Sequence, residues 1–189
     1  MGVAAVFIDG GYLDKVMYHD FRNQRIDMAK LAHEMALPDE LLRAYYYHCL
    51  PYQSNPPTEE ERKRYANKHR FITALGYLSR FEVRLGRLVF RGHDSDGEPI
   101  FVQKRVDCML GVDMALLAGK GKITNLAVFS GDSDLYPVIQ AVKSEGILVT
   151  LWHGSYGHNT APSRELVEVC DERRELTPEL VQKLIRPAS

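Results

Sequence analysis

Cysteine is scarce and scattered. Cys49, Cys108 and Cys170 are odd in number and far apart, so neither a disulfide framework nor a zinc-binding spacing can be drawn through them. Isolated thiols of this kind fit a reducing compartment and fill core space rather than do chemistry. No apolar run approaches membrane-spanning length, and Met1 leads almost at once into a strand-like stretch without a basic and apolar leader. A cytoplasmic chain with no membrane partner is expected. An excess of one charge is missing too: 24 Lys and Arg stand against 25 Asp and Glu, a formal net charge of -1, so the overall balance does not announce a nucleic-acid binder. There is no internal repeat, no low-complexity segment, no phosphate-loop or dinucleotide glycine pattern, and no Ser-His-Asp or Cys-His constellation.

What is present is enough apolar material for one well-buried core: 45% of 189 residues. Val3 to Ile8 is an unbroken apolar run ending in Asp9-Gly10-Gly11-Tyr12, the pattern of a central parallel strand. Short helices are predicted over Leu13 to His19 and Ile26 to Leu37, the second stopped by Pro38. Leu42 to Leu50, with Tyr45, Tyr46 and Tyr47, is rich in strand formers, and a loop follows from Gln53 to Pro57. Thr58 can cap a helix to about Leu78 whose first turn holds Glu59, Glu60 and Glu61. Phe81 to Phe90 alternates like a strand with one wet face, Gly92 to Gly97 is a turn, and Ile100 to Val102 can return as a hairpin partner. Val106 to Ala118 is apolar nearly all round, which predicts a buried helix. A strand to Ser130, a helix to Glu145, a strand from Ile147 to Trp152, a loop to Pro162, and helices near Arg164 to Cys170 and Pro178 to Ile185 complete the chain. Alternating strands and helices predict a three-layer α/β domain over 1–189 with a mainly parallel sheet, the C-terminal helices about 163–186 packing on its core.

The most informative stretch is Phe129-Ser130-Gly131-Asp132-Ser133-Asp134, two carboxylates at a strand-to-helix corner. In an open parallel sheet such corners lie at the carboxyl edge, where ligands bind. Asp9 emerges at the same edge, and so does Asp107 in the first turn of the helix from Val106. Asp113 lies roughly 9 Å further along that helix and about 120° round, so it is expected to act behind the ligands or to pair with Lys104 or Arg105. Converging like charges call for a hard divalent cation, Mg2+ or Mn2+, held by Asp9, Asp107, Asp132 and Asp134 with Ser130 and Ser133 in support. Such an ion activates water against a phosphodiester. Spacing alone leaves open the alternative that each acid is simply a helix cap.

The segments Phe7-Ile8-Asp9-Gly10, Gln103-Lys104-Arg105-Val106-Asp107, Ser130-Gly131-Asp132-Ser133-Asp134 and Lys143-Ser144-Glu145-Gly146 resemble the NYN domain family, and within it the LabA-like branch, relatives of PIN-domain nucleases. The likeness spans nearly the whole chain, and the Ser-Gly-Asp-Ser-Asp corner is its most specific part. It implies a PIN-like sheet and metal-dependent ribonuclease activity with Asp9, Asp107, Asp132 and Asp134 as the acids. Tyr12 stands where many relatives carry Asn, which keeps a second reading in view: an RNA-binding or regulatory module with weak or absent catalysis.

Basic residues are concentrated between Arg62 and Arg105. Lys104, Arg105 and Arg84 are predicted to meet RNA phosphates, and Tyr12 and Tyr52, beyond strand ends, to stack on bases. Single-stranded or flexible RNA is the expected partner, because its backbone can bend into a pocket closed to a stiff helix. A homo-oligomer or a regulatory protein partner is also conceivable. His153, Ser155, His158 and Asn159 sit in a loop near the same edge, a gate or an ordinary turn. Aspartyl-phosphate phosphatases are disfavoured because Gly11 occupies their second acidic position, and topoisomerase-primase domains because Asp9 stands where they carry Glu.

Overall fold

A computed structural model describes residues 2–97, 99–157 and 159–185; Glu98, His158 and Arg186 lie outside them. In chain order the elements are β1 (Val3–Asp9), α1 (Gly10–Phe21), α2 (Met28–Ala36), β2 (Glu40–His48), α3 (Glu59–Gly76), β3 (Phe81–Leu85), β4 (Arg87–His93), β5 (Pro99–Lys104) and α4 (Val106–Gly119). Then come β6 (Asn125–Phe129), a 3-10 turn over Ser133–Leu135, α5 (Tyr136–Ser144), β7 (Leu148–His153), α6 (Arg164–Val169), β8 (Glu172–Glu175) and α7 (Pro178–Leu184).

Six strands form one sheet in the order β3-β2-β1-β6-β7-β8, all neighbours parallel. The chain starts in the middle, works outward through β2 and β3, then crosses back to β6 on the other flank of β1. The order therefore reverses between β1 and β6, and the crevice beyond their carboxyl ends is where doubly wound sheets bind ligands.

Alternation along β1 fixes the two other layers. Ala4, Val6 and Ile8 join a core with α1, α2, α3 and α7, while Ala5 and Phe7 join a second core with α4, α5 and α6. Helix starts follow from side chains that accept the free amides of the first turn. Thr58 and Glu61 form a reciprocal capping box on α3, and Asp27, Ser163 and Thr177 cap α2, α6 and α7.

Three sequence expectations are corrected. Phe81 to Phe90 is not one strand: it breaks at Gly86, where β3 stays in the sheet and β4 leaves to pair antiparallel with β5 as a separate ribbon. A Cβ on Gly86 would stand 2.6 Å from the Lys104 carbonyl and 2.7 Å from Val106, so the crossing of the ribbon's two legs excludes any larger residue. Helix α4 is buried on one face only, with Val112 50% and Leu116 58% exposed. Finally, Glu-Arg-Arg-Glu at 172–175 forms the edge strand β8, although it holds no apolar residue to announce it. Among the described residues no helix is long and apolar enough to cross a membrane.

Gly86→Ala is expected to cost about 1–3 kcal/mol by overpacking, read as a lowered urea midpoint. Gly76→Ala, at the end of α3 with open space around its Cα, is the matched control and is expected to be neutral or slightly stabilising. Equal midpoints for the two variants would show that the crossing at Gly86 is not tight.

Candidate functional site

Asp9 ends β1 and also caps α1: its Oδ1 accepts the amides of Gly11 at 2.9 Å and Tyr12 at 3.1 Å. Its carboxyl is pushed up to about 6. Burial is the main cause, opposed by the two cap bonds and reinforced by the nearby charge of Asp107. Asp107 lies in the first turn of α4, a helix start with no side-chain cap, where the dipole favours an acid. Its carboxyl is nevertheless raised, first by burial, then by Asp132 and, less, by Asp134.

The other two acids belong to the corner after β6. Asp132 Oδ1 accepts the Asp134 amide at 3.0 Å and starts the 3-10 turn, and fully buried Ser130 accepts the Asp132 amide at 3.3 Å. Each of these bonds engages one carboxylate oxygen only. The caps are therefore real, yet they do not use up the acids. Among the described residues Asp9, Asp107, Asp132 and Asp134 make no ion pair with Lys, Arg or His within 4.0 Å. Asp9 feels Asp107, and Asp107 feels Asp132 and Asp134: strand end, helix start and corner share one electrostatic neighbourhood. They are not closed into a cage, since no group of three or more His, Cys, Asp or Glu among the described residues is placed to hold a metal ion.

Asp113 finds partners other than those expected. Instead of Lys104 or Arg105 it accepts the Tyr47 hydroxyl at 2.8 Å and Arg84 Nε at 3.3 Å. Arg84 also pairs with Glu82 at 2.6 Å, so its charge is spent inside the protein and it is a tie between β3 and α4 rather than a free phosphate contact. Lys104 and Arg105 are exposed and have no acidic partner among the described residues.

Tyr12 is not free to stack on a base. Its hydroxyl donates to the Thr160 carbonyl at 2.5 Å and accepts the Gly154 amide at 3.1 Å, and its ring packs on Phe129. A Cβ on Gly131 would stand 2.5 Å from that ring, which explains the glycine in the acidic corner. The loop after β7 is likewise anchored rather than a gate: Ser155 N and Thr160 Oγ1 both donate to Asp20, and His153 is buried.

One group escaped the sequence reading. His48, at the end of β2, and Lys68 on α3 both bond Asp14 Oδ2, at 2.9 and 2.5 Å. Burial pushes the Asp14 carboxyl up, but His48 and Lys68 outweigh it and the net shift is downward. The only sequence signal was Asp14 one turn past the Asp9 cap, with no way to foresee its partners.

The chain matches the NYN domain over residues 3–177. It belongs to the NYN domain family. That family is part of the PIN-like nuclease superfamily, which gives the activity class to test, and the match assigns no branch within the family. A crystal structure of a protein of unknown function from Vibrio parahaemolyticus is similar in fold, with a TM-score of 0.62 at 17% identity over 94% of each chain. No curated protein matches this chain.

The raised carboxyl of Asp9 has a stability signature. The folded form holds its proton to about 6 against an ordinary 3.8, so this contribution is full below 3.8 and is lost as pH rises through 6. Asp9→Asn keeps a cap acceptor and removes the charge. In metal-free buffer it is expected to stabilise the fold by about 1–3 kcal/mol at pH near 7.5 and by little at pH near 4. Equal gains in thermal midpoint at both pH values would contradict the crowding at Asp9.

Proposed function

We propose that this NYN domain is a divalent-metal-dependent ribonuclease acting on single-stranded or flexible RNA. The observation that carries the reading is the set of acids at the β1–β6 reversal, mutually repelling and with no ion pair to Lys, Arg or His among the described residues. An all-carboxylate donor set fits a hard cation such as Mg2+ or Mn2+. At rest the acids stand apart, as uncompensated like charges do. Asp9, Asp107 and Asp132 are the assigned ligands, with Asp134 as a further ligand or as the group that orients the attacking water. The ion would supply a more acidic bound water and charge stabilisation at the phosphodiester.

The rest is work for the protein's own side chains. Lys104 and Arg105, exposed and acid-free immediately before Asp107, meet phosphates flanking the scissile bond. Tyr47 and Arg84, through Asp113, tie α4 to β2 and β3 and so fix the helix that carries Asp107. Ser130 orders the corner that carries Asp132 and Asp134.

A specific observation favours one other reading. Tyr12 fills the space beside Asp9 with a ring whose hydroxyl is already spent on Thr160 and Gly154, so no free polar side chain from that position assists the first acid. An RNA-binding module with weak or absent catalysis fits that. The two readings separate in one assay: cleavage of a mixed single-stranded RNA pool in Mn2+ or Mg2+, abolished by chelator. Asp107→Asn and Asp132→Asn are each expected to lower the rate by about 100-fold or more, as loss of one group stabilising transition-state charge does, with the thermal midpoint not lowered. RNA binding without metal-dependent cleavage would install the second reading.

A further inference from the structure

The β4–β5 ribbon stands outside the sheet, and only Lys104 at its base enters the chemistry proposed above. Both its legs meet at the carboxyl edge: β4 begins just after β3 ends, and β5 runs through Arg105 into Asp107. It leans over the acidic crevice, because a Cβ on Gly11 would stand 3.0 Å from the Gln103 amide nitrogen. Arg87 and Lys104 pair across its base and Arg91 lies further along β4, all three exposed and with no acidic partner among the described residues.

Register sorts the side chains onto two faces. Leu88, Phe90, Phe101 and Gln103 share one face, and Arg87, Val89, Val102 and Lys104 share the other. On the first face Phe90 and Phe101 meet Tyr52, which follows β2: the Tyr52 centroid lies 6.0 Å from Phe90 and 5.1 Å from Phe101. The group is not sealed, for Phe90 is 39% exposed. A mini-core that only held the ribbon together would need no open ring on this face, and no unpaired cations on the other.

We infer that this ribbon, with Tyr52, is a subsite for the single-stranded stretch of RNA that flanks the acidic crevice: the strand wraps over the ribbon's edge, unpaired bases stacking at Phe90 and Tyr52 on one face while phosphates meet Arg87 and Lys104 on the other and Arg91 further along β4. The inference takes its substrate class from the ribonuclease reading, and adds where the strand leaves the site and why it must be unpaired. A paired base offers no open face to an aromatic platform, and cations that hold only the backbone accept any sequence.

The test is fluorescence anisotropy of a labelled oligouridylate of about 12 nucleotides, and of a matched RNA duplex, with the full chain in chelator. Arg87→Glu combined with Arg91→Glu is expected to weaken single-strand binding about tenfold or more and to flatten its salt dependence. Phe90→Leu, which keeps the ribbon's packing, is expected to weaken it about tenfold with the salt slope unchanged. Duplex binding should be weaker and indifferent to Phe90→Leu. Lys122→Glu, exposed at the opposite edge of the sheet, is the charge-matched control, and circular dichroism checks that each variant is folded. Ribbon variants that bind like Lys122→Glu overturn the subsite, and so does a wild-type chain with no affinity for single-stranded RNA, which would turn the ribbon into a protein-docking element. Because the readout needs no cleavage, the two readings fail separately. An inactive wild type whose ribbon variants still lose affinity keeps the subsite and removes the nuclease, whereas active variants with unaltered affinity do the reverse.

Discussion

Repulsion between carboxylates gathered at one end of the sheet is the constraint on which the site depends. Asp9, Asp107, Asp132 and Asp134 come from a strand end, a helix start and a corner, and topology alone delivers them to one crevice. Folding tolerates this arrangement because each of Asp9 and Asp132 gives one oxygen to backbone amides, and Asp107 sits at the positive end of α4. Those interactions lessen the strain without removing it: Asp9 and Asp107 both remain harder to ionise than isolated aspartates. A site that costs the fold something is common where function, and not stability, has shaped the residues.

Around the acids the protein is rigid for identifiable reasons. Tyr12 locks α1, the Gly131 corner and the loop after β7 into one unit, its hydroxyl bonding both Thr160 and Gly154. Burial pushes its phenol up to about 12, so the proton it donates is present throughout the physiological range. At this position the chain has a brace. On the far face, Tyr47 and Arg84 do the same for α4 through Asp113.

Much of this was legible in the sequence because it is local. The apolar run into Asp9, the Thr58 capping box and the Ser-Gly-Asp-Ser-Asp corner each write their structure into a few neighbouring residues, and the alternation of strands and helices gave the parallel sheet. What was not legible depends on distant neighbours. Edge strand β8 is held by its pairing with β7, not by any apolar side chain of its own. The break at Gly86 exists because Lys104 and Val106, many residues later, pass close to it. The apolar outer face of α4 looked like a buried one because composition records how apolar a helix is, not which layer covers it. Asp113 was paired with bases near it in sequence, whereas its real partners come from β2 and β3.

Arg105 joins the ribbon to α4 in a left-handed backbone conformation, φ 76°, which a residue with a side chain adopts only when its surroundings impose it. No slack separates β5 from the first turn of α4. Tugging on the ribbon therefore tugs on Asp107, and trimming the hairpin would shift a carboxylate that the cut never touched.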